Sequence, residues 1–267
     1  MKKIIDANYF QDPALTDYLR SDKRNFVVFS DYACMEAYKG NAIKNISKSI
    51  EIVSQFPDQV IVLKGTRDIV KLSLLPDGLN KFEDPIQTRE FKIFCLGVSR
   101  AVQGDLALAS QVLQKGQLAT EHFNKILKDT EAIAKGIKEL TKSFKHDHLR
   151  ALRKKEKLEP EVINRIIRDI LLTAGFLFRD HPDVDERPQA SQLPNSYILR
   201  YAVSAYLLAL QWISDGGPGT VKRKKLRNDY VDMLYVAYAT FYDGLLTRDA
   251  KMKGIYEETC FVLKNVF

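Results

Sequence analysis

Short apolar runs alternate with helical stretches at both ends of this chain, and the middle does not follow that pattern. Near the N-terminus, residues 3–5, 26–29 and 60–63 are brief runs rich in β-branched or aromatic side chains, separated by segments of helical character. Ser30 or Asp31 is placed to cap the helix after the second run. The last 75 residues or so resume the pattern, with a long helix over 194–214, a Gly-Gly-Pro-Gly break at 216–219, another helix, a strand over 244–247, a helix, and a further short strand at 260–263. Such alternation predicts an α/β fold with a mainly parallel sheet.

Between residues 85 and 179 three helical stripes follow one another. Phe91, Phe94, Cys95 and Val98 begin the first, Phe123, Ile126, Leu127 and Thr130 the second, and Val162, Ile163, Ile166 and Ile167 the third. Proline-marked breaks on either side divide the chain into an α/β part, residues 1–75 and 196–267, and an all-helical insertion, residues 76–195.

At 267 residues and 45% hydrophobic content the chain can bury a substantial core. Its net charge of +7 and pI near 9.1 favour an anionic partner, nucleic acid or an anionic membrane. The longest apolar run, 201–213, falls well short of the roughly 20 residues that span a bilayer and contains Ser204 and Gln211. The apolar stretch after Lys2 and Lys3 is interrupted at Asp6, unlike a secretion signal. Three widely separated cysteines, Cys34, Cys95 and Cys260, suggest neither a disulfide framework nor a zinc motif. The expectation is a reduced, cytoplasmic protein with no membrane partner.

Acidic residues fall where an open parallel sheet gathers its chemistry, outside the carboxyl ends of the strands. Asp6 follows the first strand, Glu36 lies on the helix after the second, Asp229 and Asp232 are placed on the first turn of a helix, and Asp249 follows the strand at 244–247. Positions 229 and 232 share a helix face. Two like charges about 4 Å apart repel by roughly 4 kcal/mol at an effective dielectric of 20, so such a cluster calls for a divalent cation. Magnesium or manganese, with oxygen ligands and retained waters, suits it and can lower the pKa of a water for attack on a phosphodiester.

These residues resemble the PIN-domain nucleases. The similarity lies in Asp6-Ala7-Asn8 after the first strand, Glu36 in F-S-D-Y-A-C-M-E-A-Y, Asp232 opening D-M-L-Y-V-A-Y-A, and Asp249 after L-L-T-R. The resemblance covers residues 1–75 and 194–267. It implies a three-layer α/β/α sandwich and metal-dependent cleavage of RNA, with Asp6, Glu36, Asp232 and Asp249 as the catalytic ligand set; Asp229, placed equally well to cap its helix, is read as an auxiliary metal ligand beside them. It further implies that Asn8 orients Asp6 and that Thr247 helps hold the acidic edge. Ala7 stands where the family often has Ser or Thr, and the insertion is large for the small toxin members.

Lys222, Arg223, Lys224, Lys225 and Arg227 form a basic run directly before the acidic helix, and Arg248 adjoins Asp249. Solvated surface and contact with nucleic-acid phosphates are both open readings of this run. Lys142 to Lys157 holds a second basic cluster, and His146 and His148 point to different helix faces, which argues against a shared metal. The aromatic stripe Tyr230, Tyr235, Tyr238, Phe241 and Tyr242 reads as core. The leading expectation is a metal-dependent endoribonuclease, with a toxin or defence role open. Alternatives are a nuclease acting on DNA and a PIN-like protein that binds nucleic acid or a partner without cutting. A phosphatase of the haloacid dehalogenase type would need a second Asp where Asn8 stands. A homodimer and an inhibitory or system partner protein also remain open.

Overall fold

The computed structural model describes residues 1–72, 78–154, 156–181, 184, 188–217 and 222–267. Parts of the Pro- and Gly-marked breaks expected near 75–85, 179–194 and 216–219 lie outside these residues. Four strands, β1 (Lys2–Ile5), β2 (Phe26–Phe29), β3 (Val60–Val62) and β4 (Leu245–Leu246), form one sheet in the order β3-β2-β1-β4. Every pairing is parallel, with Ile4 opposite Val28 and Leu245, and Ile5 opposite Leu246. Ile4, Ile5, Val27, Val28 and Val60 are buried, as expected for short strands in a covered parallel sheet. The fold is α/β and mostly helical, which is compatible with an α/β/α sandwich.

Eleven helices are described: α1 (Pro13–Ser21), α2 (Asp31–Tyr38), α3 (Ala42–Ile50), α4 (Thr66–Lys71), α5 (Pro85–Val102), α6 (Leu106–Ser143), α7 (His146–Lys154), α8 (Pro160–Asp180), α9 (Tyr197–Ser214), α10 (Arg223–Ala239) and α11 (Ala250–Asn265). Two expectations need correction. No strand forms at 260–263, because that apolar run continues α11, whose buried positions Met252, Ile255 and Thr259 keep helical spacing while Phe261 faces solvent. Asp229 and Asp232 do not open their helix. The basic residues before them already belong to it, with Leu226 as its first buried position.

Helices α5 to α8, between residues 85 and 180, are built into the same core as the sheet. Phe91 of α5 meets Phe29 of β2 edge-on, with ring centroids 5.5 Å apart. Residues 82–84 close the outer edge of β3 through backbone bonds from Lys64 N to Phe82 O and from Asp84 N to Val62 O, both 2.8 Å. Helix α6 crosses α2, α3 and α10. The apolar faces of these helices cannot stay in water, and the helices flanking the sheet cover them.

The closest approach is at Gly116 of α6, where a Cβ would stand 2.6 Å from the Cβ of Ala42. In an exposed helix, Gly→Ala stabilises by about 1 kcal/mol. Here overpacking at about 1–3 kcal/mol wins. Gly116→Ala is therefore expected to lower stability by ~1 kcal/mol in urea unfolding, and a stabilised variant would show that α6 does not seat this closely.

Candidate metal centre at the carboxyl ends of β1 and β4

The chain runs outward from β1 through β2 to β3, and then returns on the other side of β1 as β4. In an open α/β sheet such a reversal, here beyond the carboxyl ends of β1 and β4, is the usual place for a site. Asp6 and Thr247 are the first residues past the two strand ends, tied by the bond from Asp6 N to Leu246 O, 3.0 Å.

Thr247 links the two strand-end acids. Its hydroxyl donates to Asp6 Oδ2 at 2.7 Å and accepts from the backbone N–H of Asp249 at 3.0 Å. Asp249 caps α11 by accepting from Met252 N at 3.0 Å. Asp6 is only 3% exposed. Burial raises its carboxyl above the usual range, the Thr247 bond opposes the rise, and the charge of Asp249 adds to it.

Glu36 comes from the side of β2. Ser30 caps α2, accepting from Ala33 N at 3.3 Å, and Glu36 sits on that helix with Oε2 accepting from the Tyr235 hydroxyl at 2.9 Å. Its carboxyl is raised by burial, lowered in part by Tyr235, and raised again by Asp6. Asp31, at the start of α2, belongs to a different network. It accepts from Thr66 N and Thr66 Oγ1, both at 2.7 Å, and so pins α2 to α4.

Asp232 of α10 joins these acids. Its carboxyl is pushed up to about 8, first by burial and then by the charges of Asp6, Glu36, Asp229 and Asp249. Four acids, one of them a turn away on α10 and the others from distant parts of the sequence, thus act on one carboxyl. Each of the others has its own partner: Asp6 has Thr247, Glu36 has Tyr235, and Asp249 has the first turn of α11. Among the described residues, no three His, Cys, Asp or Glu side chains are grouped to hold a metal ion.

Other expected site residues sit differently. Asp229 is 5% exposed, and its Oδ2 accepts from Trp212 Nε1 at 3.1 Å and pairs with the Lys251 ammonium. Its Oδ2 thus already has two partners within the protein. Asn8 does not orient Asp6 through its side chain. Its amide oxygen accepts from Arg248 N at 3.2 Å, while its backbone N–H makes a long 3.5 Å bond to Asp6 Oδ1. The Arg248 side chain pairs with Asp12 at 2.6 Å, and Arg223 pairs with Glu131 of α6. Lys222, Lys224 and Lys225 are exposed, and Arg227 is buried.

Two contributions escaped the sequence reading. Tyr235 is core, as its apolar stripe suggested, yet its hydroxyl is what fixes Glu36. Lys251 gave no signal, since its partnership with Asp229 exists only once α10 and α11 pack together. The donor set is all hard oxygen, the chemistry that suits magnesium or manganese. No helix among the described residues is long and apolar enough to cross a membrane. No protein-family model, curated protein or solved structure matches the chain.

Proposed function

We propose that this chain is a metal-dependent nuclease of PIN-like type that hydrolyses phosphodiester bonds of RNA. The observation that carries the reading is the Thr247 bridge at the carboxyl ends of β1 and β4, whose hydroxyl donates to buried Asp6 and accepts from Asp249 N, with Glu36 and Asp232 acting electrostatically on the same acids. Four interacting carboxylates without a compensating cation oppose folding, and a site for Mg2+ or Mn2+ gives the arrangement a purpose. Asp6, Glu36, Asp232 and Asp249 would hold the ion. Because magnesium retains waters, one or two of them would touch it and the rest would act through water. A bound ion would supply positive charge at the phosphodiester and a water of lowered pKa.

The protein's own groups prepare this site. Thr247 fixes Asp6 and the backbone entering α11 together, and Tyr235 holds Glu36 from inside the core. The Lys251 ammonium pairs with Asp229 beside the cluster. With its carboxyl raised to about 8, Asp232 would hold a proton near neutrality in the metal-free protein and would release it were a cation held there.

Labelled single-stranded RNA and the matching DNA, incubated with the purified protein, test the reading. Cleavage is expected with manganese or magnesium and is expected to stop with chelator. Cleavage that survives chelator, or no cleavage of either nucleic acid, would overturn it; the second result would favour a protein that binds without cutting.

A further inference from the structure

Next to the acids lies a cluster of the opposite sign. Lys39, at the C-terminal end of α2, places Nζ 5.2 Å from the ring centroid of Phe123, and Arg227 of α10 places Cζ 5.4 Å from the same ring. Phe123 comes from α6 and is 2% exposed, so it serves as a buried floor and leaves no face for a base to stack on. Lys224, one turn before Arg227, adds its charge to the pair.

Arg227 is the unusual member. It is 6% exposed and has no salt bridge among the described residues; its Nε and Nη2 both donate to Asn228 Oδ1, at 3.2 and 2.7 Å. A buried guanidinium ordinarily faces a carboxylate or a phosphate. Lys39 is held below the usual lysine range by burial and then by the charge of Arg227, with Glu36 opposing and Lys224 adding to the fall. Glu36 gives Lys39 and Arg227 a partial counter-charge from the acidic centre, the ring adds a weak attraction, and an anion seated between the two cations would complete the compensation.

We propose that Lys39, Arg227 and Lys224, floored by Phe123, form a phosphate-binding site for the backbone of a single-stranded nucleic acid entering the acidic centre. The inference rests on the nuclease reading for the identity of the strand, although the site itself needs only an anion. Glu36 lies in the last turn of α2 and Lys39 caps its C-terminal end three residues on, and Asp232 and Arg227 lie five apart on α10, so the same two elements carry both centres. A strand whose scissile phosphate meets the acids has its next phosphates within reach of these cations. The helical stretch then has a part in substrate binding, because α6 supplies the ring on which both cations rest.

Anisotropy of a fluorescein-labelled single-stranded RNA, and of the matching DNA, bound to the wild-type chain in chelator measures this without cleavage. Lys39→Ala is expected to weaken binding about tenfold and to reduce the slope of log K against log salt by about 0.7, the loss of one phosphate contact on a single strand. Lys39→Arg is expected to retain both, and inorganic phosphate to compete with the wild type more strongly than with Lys39→Ala. Arg227→Lys keeps the charge and is expected to bind more weakly, because a guanidinium fork is lost. An unchanged affinity and salt slope in Lys39→Ala, for RNA and DNA alike, would overturn the site even if the wild type cuts RNA. Loss of binding in Lys39→Ala would uphold it even if no metal supports cleavage. The arm with the tighter wild-type binding identifies the strand.

Discussion

Asp232→Asn is expected to lower the rate of manganese-dependent RNA cleavage by about 10³-fold or more while leaving the fold intact. Asp232 is the carboxyl on which the other four acids act, so an amide there, which cannot become a carboxylate, removes the centre of the cluster. Loss of a single preorganised electrostatic group in an active site costs about 10²–10³ in rate, and a group shared by several partners belongs at or beyond the upper end. Asp6→Asn is expected to have a comparable effect, since Asp6 is buried and fixed by Thr247 at the end of β1. Residues that act as a unit lose their function together, so the Asp6→Asn, Asp232→Asn double variant should cut no more slowly than the slower single one. Single-turnover rates at saturating manganese, with circular dichroism to follow the fold, decide the matter. An Asp232→Asn protein that cuts at the wild-type rate would remove this site from catalysis.

Much of this arrangement was legible from residue order, because its parts are local. A β-branched or aromatic run ending in an acid reads as a strand end, and Phe26–Phe29 with Ser30 as the cap of α2 stands where the sequence placed it. The failures share a physical cause. The run C-F-V-L at 260–263 fits a strand or one side of a helix, and only the packing of α11 on α9 and α10 decides between them. The basic residues at 223–227 read as a run directly before the acidic helix, and cations at a helix N-terminus do oppose its dipole. The burial of Leu226 and Arg227 outweighs that preference and starts the helix early. The partners of Asp229 and Glu36 come from Lys251, Trp212 and Tyr235 on other helices, and contacts across helices leave no trace in spacing. The same holds for Phe123, whose place in a helical stripe marks it as core without revealing the two cations above it.

In the metal-free protein, stability is expected to fall as pH rises from about 5 to 8, opposite to the behaviour of a protein held by ordinary carboxylate ion pairs. The Asp232 carboxyl titrates at about 8 when folded and near 3.8 when unfolded. Between those values the folded state holds a proton that the unfolded chain has already released, so rising pH favours unfolding. The stabilisation is full below about pH 4 and is lost on approaching pH 8. Asp6 and Glu36 are raised as well, which gives their contributions the same sign. Asp12 and Asp84 are lowered by their hydrogen bonds and contribute in the opposite direction, but only as pH falls below the ordinary carboxylate range, in a separate window. One pKa unit corresponds to 1.36 kcal/mol, and discounting for coupling among the acids leaves an expected loss of about 2–4 kcal/mol. Urea unfolding in chelator across this range measures it. Asp232→Asn should flatten the curve and exceed the wild type in stability near pH 8, while magnesium or manganese should restore the wild type most at high pH, where the carboxylates are ionised. A metal-free stability that is constant or rising from pH 5 to 8, with Asp232→Asn following the same curve, would mean that these acids do not share one buried field.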